Sequence, residues 1–296
     1  MKTEEKLNMT MLCDFYELTM GNGYFQTGFK DRITYFDVYF RSVPDGGGFA
    51  IAAGLEQLIE YIEDLHFDED DISYFSSLHL FSEEFLQYLK NFRFKGDIYS
   101  FPEGTVMYPN EPVLTVIAPL IDAQLIETAV LAQINHQSLI ATKTQRIVKA
   151  AEGRPVSDFG ARRAHNMDAA VYGARAAYIG GAAGTATVLA GKQFGIPVGG
   201  TMAHSYVMYY QDELTAFRKY AAIYPDNCIL LVDTIDVLKS GVPHAIEVFR
   251  EMQAAGIPLT VYGIRLDSGD LAYLSKKARK MLDEAGFPDA RIVVSN

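Results

Sequence analysis

The stretch that decides the architecture is Cys228-Ile229-Leu230-Leu231-Val232-Asp233-Thr234-Ile235-Asp236. Five apolar residues end abruptly in a carboxylate, a hydroxyl, an isoleucine and a second carboxylate. A short continuous apolar run fits a strand covered on both faces, as in a parallel sheet. The run returns twice, at Leu259 to Ile264 and at Arg291 to Val294, so that starts at 228, 259 and 291 lie about 31 residues apart. The intervals carry helical periodicity over Val237 to Ala255 and Leu271 to Ala285, each closing beside a glycine. Repeating βα units of this size make a parallel sheet, open or closed into a barrel. Working outward, Ile196 to Thr201 and Val156 to Phe159 read as earlier strands and Leu120 to Ala151 as a long helix.

The first part of the chain has another pattern. Leu12 to Phe25 and Gly54 to Asp64 read as helices, and Thr34 to Arg41, Gly96 to Phe101 and Pro112 to Ala118 as strands. The expected fold class is therefore α/β: an irregular (β/α) barrel of parallel strands over 131–296, with a smaller N-terminal α/β domain over 1–130. The acidic run Asp68 to Asp71 and the pair Glu83-Glu84 read as solvated helix ends. Arg291 to Val294 runs straight into Ser295-Asn296 and stops, although a parallel strand needs neighbours and covering helices. The chain thus reads as stopping inside its own fold.

Composition narrows the function. Among 296 residues, 26 Lys and Arg face 37 Asp and Glu, a net charge of −11, so nucleic acid is not an expected partner. Met1 to Lys6 lacks the apolar run of a secretory signal, and no apolar stretch is long enough to span a membrane, so a cytoplasmic protein without membrane attachment is expected. Cys13 and Cys228 lie far apart without metal-ligand spacing, and no protein metal ligand is assigned.

Five polar motifs follow the expected strands: Asp158 to Arg163, Thr201 to Ser205, Asp233 to Asp236, Arg265 to Asp270, and Ser295-Asn296. In parallel α/β architecture the strand C-termini share one face, which holds the site. Residues 141–165 carry six Lys and Arg against two acids, 6 − 2 = +4 within the acidic chain. Arg162, Arg163 and Arg265 at strand ends suit a carboxylate or phosphate, because a guanidinium offers a planar fork of donors. The residues alone lead to an α/β enzyme acting on an anionic small molecule, with His204 as nucleophile or acid/base and Asp233, Asp236 and Asp267 as carboxylates.

These motifs carry a resemblance. Asp14 to Met20, Pro102-Glu103-Gly104, Phe159 to Ala164, Gly200 to Ser205, Val232-Asp233-Thr234 and Arg265 to Asp270, collinear over essentially the whole chain, resemble nicotinate phosphoribosyltransferase, of the type II phosphoribosyltransferase superfamily. The resemblance implies Mg²⁺-dependent transfer of 5-phosphoribosyl from phosphoribosyl pyrophosphate to nicotinate in NAD biosynthesis, giving nicotinate mononucleotide and pyrophosphate. ATP is the implied co-substrate, phosphorylating His204 while Asp233 orients the ring. It places Asp267 at the ribose hydroxyls or the water around the metal, and Arg162 and Arg265 at the base and phosphates. Phe159 and Tyr16 would sandwich the pyridine ring, with Tyr16 contributed across a homodimer, and Thr201 would lie near the nicotinate carboxylate.

In the related nicotinamide enzymes the motif Gly-Thr-x-Thr holds Asp in its third place, where this chain has Ala186 in Gly184-Thr185-Ala186-Thr187. A carboxylate there would repel nicotinate, so Ala186 favours nicotinate over nicotinamide. Family members continue beyond this length into a Gly-rich phosphate loop. The alternatives are accordingly a nicotinamide phosphoribosyltransferase or a non-catalytic fragment of such an enzyme.

Overall fold

The structure, a computed structural model, describes residues 8–295; the N-terminal segment read as lacking a signal, and Asn296 of the last motif, lie outside the described residues. Two compact units divide at Gly199 and Gly200.

The first unit starts with α1 (Phe15–Gln26), β1 (Ile33–Val38), β2 (Ala50–Ile51), α2 (Leu55–Asp64), α3 (Glu69–Ser77) and α4 (Glu83–Lys90). It continues with β3 (Asp97–Ser100), β4 (Val106–Met107), β5 (Leu114–Pro119), α5 (Leu120–Leu125) and α6 (Glu127–Ala150). β5 alternates buried and half-buried positions, the two-residue period of a strand with one face on a core. It is the centre of an antiparallel β1-β5-β3 sheet with Ile33 opposite Pro119 and Asp97 opposite Ile117, while β2 pairs antiparallel with β4. Leu58, Phe75, Phe85, Leu89, Ile121 and Ile126 fill the core beneath. Each such side chain contributes about 1.5–3 kcal/mol by leaving water.

The acidic run is the first turn of α3: Asp68 accepts from the Asp71 amide and Asp71 from the Asp68 amide, a capping box at the positive end of the helix. The helix expected over Leu120 to Ala151 breaks at Ile126 into α5 and α6.

From here pairing becomes parallel. β6 (Ser157–Asp158) precedes α7 (Met167–Ile179), β7 (Gly184–Thr185) and α8 (Val188–Phe194), and β6 lies parallel to β7. The strand expected over Ile196 to Thr201 shrinks to one bridge, Thr185 to Val198. Pro197 has no amide hydrogen to give a ladder, and its carbonyl accepts from Thr185 at 3.0 Å. Gly184 is required there, since a Cβ would stand 2.6 Å from the Pro197 carbonyl oxygen.

The second unit contains α9 (His204–Tyr209), α10 (Glu213–Ile223), β8 (Cys228–Leu231), α11 (Val242–Ala254), β9 (Tyr262–Leu266), α12 (Leu271–Glu284) and β10 (Arg291–Val294). The sheet is parallel in the order β10-β9-β8, with Cys228 opposite Tyr262 and Arg291 opposite Gly263. Every residue of β8 and β9 is buried, which explains their apolar runs. Phe249, Tyr262 and Phe287 meet edge to face with centroids 5.1–6.1 Å apart, joining α11 to the sheet. The helix expected from Val237 opens as a π-helical turn, Val237–Gly241, before α11; Pro243 cannot donate to the carbonyl four residues back. β9 extends past the expected Ile264 to include Arg265, whose charge is matched inside the structure.

The mixed α/β class with parallel strands is thus the observed one. No helix among the described residues is long and apolar enough to cross a membrane. Cys13 and Cys228 are free thiols, and burial pushes each up to about 12, so neither ionises near neutrality.

Candidate active site

In the second unit the C-terminal strand ends collect polar side chains. Asp233 follows β8 by two residues, and its side chain is only 1% exposed. Its Oδ1 lies 3.1 Å from Nε2 of His204, the first residue of α9, whose side chain is 39% exposed. A carboxylate only accepts, so Nε2–H donates, an arrangement that in the neutral imidazole leaves the lone pair on Nδ1. Oδ2 of Asp233 accepts from the Asp267 amide at 2.9 Å and from the Ser268 hydroxyl at 2.6 Å. The imidazole is therefore half open to solvent while the carboxylate behind it is buried and hydrogen-bonded on both oxygens.

A second pair lies on β9. Arg265 is 8% exposed, and its Nη2 donates to Oδ1 of Asp267 at 2.6 Å. Nη1 donates to the Thr201 hydroxyl and the Met202 carbonyl, each at 3.2 Å, and Nε donates to the Ser295 hydroxyl at 2.9 Å. Ser295 itself donates to Asp267. Burial acts to raise the Asp267 carboxyl, but the Ser295 hydroxyl and the Arg265 guanidinium outweigh it and hold it below the usual carboxylate range.

Thus Thr201, His204, Asp233, Arg265 and Asp267 stand in one connected neighbourhood. Asp236 is occupied elsewhere, because its Oδ1 accepts from the Leu238 and Lys239 amides and so caps the π-helical turn. Asp270 caps α12 through the Tyr273 amide. Between them Gly269 takes φ +79°, the left-handed conformation that turns the chain from β9 into α12. Ser268 and Ser295, quoted only within motifs, are the site members that strand-end reasoning passed over; a hydroxyl beside a buried carboxylate leaves no periodic signal.

The other expected residues belong to the first unit. Tyr16 on α1 donates its hydroxyl to Glu127 at 2.8 Å, which pushes the phenol up to about 12. Phe159 and Arg162 stand on the loop and 3₁₀ turn after β6, Phe159 half-buried and Arg162 exposed. Asp158 orders this loop, accepting from the Gly160 amide at 2.9 Å and the Thr185 hydroxyl at 2.8 Å. Ala186, after β7, donates its amide to the Asp158 carbonyl. Asp158, Arg163, His136 and His165 line a cavity of about 270 Å³ beside α7.

Glu103, of the Pro-Glu-Gly motif, is architectural. It accepts from the Gly54 and Leu55 amides at the start of α2 and from both terminal nitrogens of Arg175, at 2.9 and 2.6 Å. Burial acts to raise its carboxyl, but Arg175 and the two amides hold it below the usual range. Among the described residues no group of three or more His, Cys, Asp or Glu is arranged to hold a metal ion.

An imidazole–carboxylate pair and an arginine–carboxylate pair at the C-terminal ends of parallel strands define the class: an α/β protein with its site where such sheets hold ligands. Comparison with known proteins supplies the family. The model of the nicotinate phosphoribosyltransferase N-terminal domain matches residues 11–135 and that of the nicotinate phosphoribosyltransferase family residues 155–289; the chain belongs to this family. It is 49% identical over 289 residues to nicotinate phosphoribosyltransferase of Bacillus subtilis (strain 168), covering 98% of this chain and 58% of that protein. Against nicotinate phosphoribosyltransferase pncB2 of Mycobacterium tuberculosis it is 48% identical over 286 residues, covering 97% and 60%. The crystal structure of human nicotinic acid phosphoribosyltransferase superposes with a TM-score of 0.86 at 28% identity, covering 97% of this chain and 68% of that one. The chain therefore spans about 58–60% of the length of these two curated relatives.

Proposed function

We propose that the chain carries the phosphohistidine machinery of an ATP-dependent nicotinate phosphoribosyltransferase. The observation that carries this reading is the pairing of His204 Nε2 with buried Asp233 at a strand end, in a chain of this family. Nδ1 attacks the γ-phosphorus of ATP: the N–P bond forms as the bond to the β,γ-bridging oxygen breaks, and ADP leaves with the electron pair. Asp233 stabilises the charge that develops on the ring, as a buried carboxylate does for an imidazole whose other nitrogen reacts. Phosphohistidine hydrolysis then drives the net synthesis of nicotinate mononucleotide and pyrophosphate from nicotinate and phosphoribosyl pyrophosphate.

In glycosyl transfer, positive charge grows on ribose C1 and negative charge on pyrophosphate. Asp267 is assigned to the ribose hydroxyls or the water around Mg²⁺. A metal that keeps its water and arrives on phosphate oxygens needs no protein cage, in keeping with a site of one or two carboxylates. Magnesium, when bound, neutralises charge on the leaving group. Arg162 and Arg265 are assigned to the base and phosphates, Thr201 to the nicotinate carboxylate, and Phe159 with Tyr16 of a second subunit to the faces of the ring. Ala186 leaves room for the nicotinate carboxylate without repelling it.

The test is to incubate the chain with γ-labelled ATP and Mg²⁺, alone and with nicotinate or nicotinamide plus phosphoribosyl pyrophosphate. Acid-labile label that vanishes in His204→Ala, and mononucleotide formed from nicotinate alone, are the expected results. Label that survives the substitution removes His204 from this role, and preference for the amide overturns the choice of base.

A further inference from the structure

The reaction above gives no role to the Ser268 hydroxyl, which lies 2.6 Å from Oδ2 of Asp233. We propose that Ser268 is a positioning residue, which with the Asp267 amide fixes the plane of the Asp233 carboxylate so that Oδ1 holds His204 in the tautomer with Nδ1 unprotonated. This deepens the reading of His204 as phosphoryl acceptor and rests on it.

Ser268 acts by constraint. A carboxylate held by one donor can still turn about its last torsion, which is broad for Asp. Here Oδ2 takes two donors from adjacent residues, a backbone amide at 2.9 Å and a side-chain hydroxyl at 2.6 Å, leaving Oδ1 directed at the imidazole. A ring that flips or changes tautomer presents the wrong nitrogen, and positioning groups act by removing such states.

The turn itself does not account for Ser268. Its conformation is supplied by Gly269 at φ +79° and its exit by Asp270, which caps α12. Ser268 is exposed, so water would satisfy its hydroxyl at no cost; the contact instead reaches a carboxylate 1% exposed. The strand end, the glycine turn and the capped helix hold the serine over Asp233, which explains why serine, glycine and aspartate follow Asp267 in that order.

The test uses the whole chain labelled with ¹⁵N-histidine. Long-range ¹H–¹⁵N correlation spectra report which nitrogen of each imidazole bears the proton, and His204 is assigned by comparison with H204Q. The unsubstituted chain and Ser268→Thr, which keeps the hydroxyl, are expected to show the Nε2–H tautomer. Ser268→Ala is expected to show a tautomer mixture and an initial rate of labelling from ATP lower on the order of 10-fold, with threonine restoring most of the rate. Thermal melts identify any loss due to misfolding. A Ser268→Ala spectrum like that of the unsubstituted chain, or equal rate losses for Ala and Thr, overturns the proposal. If the unsubstituted chain takes no label, the phosphohistidine reading fails, while the tautomer comparison still decides the role of Ser268.

Discussion

Two arginines of nearly equal burial, Arg175 in the first unit and Arg265 in the second, are each 8% exposed, and each donates to a carboxylate at 2.6 Å. Their surroundings differ. Arg175 donates through two nitrogens to Glu103 and also reaches Glu56 and Gln137, and Glu103 spends its remaining acceptor capacity on the amides that open α2. Every member is tied to a helix, so the cluster holds architecture together. Arg265 donates, among the described residues, to one carboxylate, two hydroxyls and a carbonyl, beside an imidazole 39% open to solvent. Neutral hydroxyls are weaker partners than carboxylates and more readily exchanged for an incoming anion. The same kind of ion pair is a fastener in one place and, on the function proposed above, a surface for an anionic ligand in the other.

The sharpest test of this contrast is Asp233→Asn. It is expected to slow labelling of His204 by ATP roughly 10³-fold while the chain still melts cooperatively; labelling within threefold of the unsubstituted rate would dissolve the functional half of the comparison. Next, Glu103→Gln leaves Arg175 buried with one strong partner fewer. It should cost about 3 kcal/mol in urea unfolding and, where the protein stays folded, leave His204 labelling unchanged. A loss of labelling without a loss of stability would reverse the assignment.

Acid sharpens the comparison further. Asp267 is held below the usual carboxylate value, so it contributes stability that is present above its unfolded-state pKa, near 4, and is lost as pH falls through the lower folded value. Asp267→Asn should therefore flatten the acid limb of urea midpoints measured between about pH 3 and pH 7; an unchanged limb would mean that Asp267 gains nothing from its partners. The smallest effect is expected at Glu17. Burial raises its carboxyl despite bonds to Thr128, and its Oε2 is buried without a hydrogen-bond partner among the described residues. Stability from this group is greatest below its unfolded-state pKa and lost as pH rises through the folded one. Glu17→Gln should raise the urea midpoint slightly at about pH 8 and leave it unchanged near pH 4, and a gain at both would assign the effect to packing.

Much of this was legible in the chain. The run at Cys228 is a strand because apolar residues buried on both faces leave an uninterrupted signature, and the run at Arg291 carries the same β-branched pattern although its residues are only half-buried or exposed. Asp233 and Asp267 stood out because polar residues after such runs lie at the rim. Asp236 carried the same signal and caps a helical turn, since a carboxylate two residues before free amides and one facing an imidazole look alike in one dimension. The run from Ile196 misled for a local reason: Pro197 and Gly199-Gly200 interrupt the ladder that Val198 begins. The apolar run ends at Ile264 because charge counts against burial, yet Arg265 is buried in β9, matched by Asp267 two positions on and by Thr201, Met202 and Ser295, which are distant in sequence.

By itself the sequence determined the α/β class, the parallel run of strands in the second half and the family, all of which rest on local periodicity and on residues in a set order. The resemblance set Asp233 beside His204, and the structure pairs the two; the tertiary structure alone decided that Asp236 turns away to cap a helical turn, that Ser268 lies against Asp233, and that Glu103 belongs with Arg175, 72 positions away. Periodicity records which face of an element is apolar. Hydrogen bonds between side chains on different elements leave no trace in it, because their geometry exists only once the strands and helices have packed.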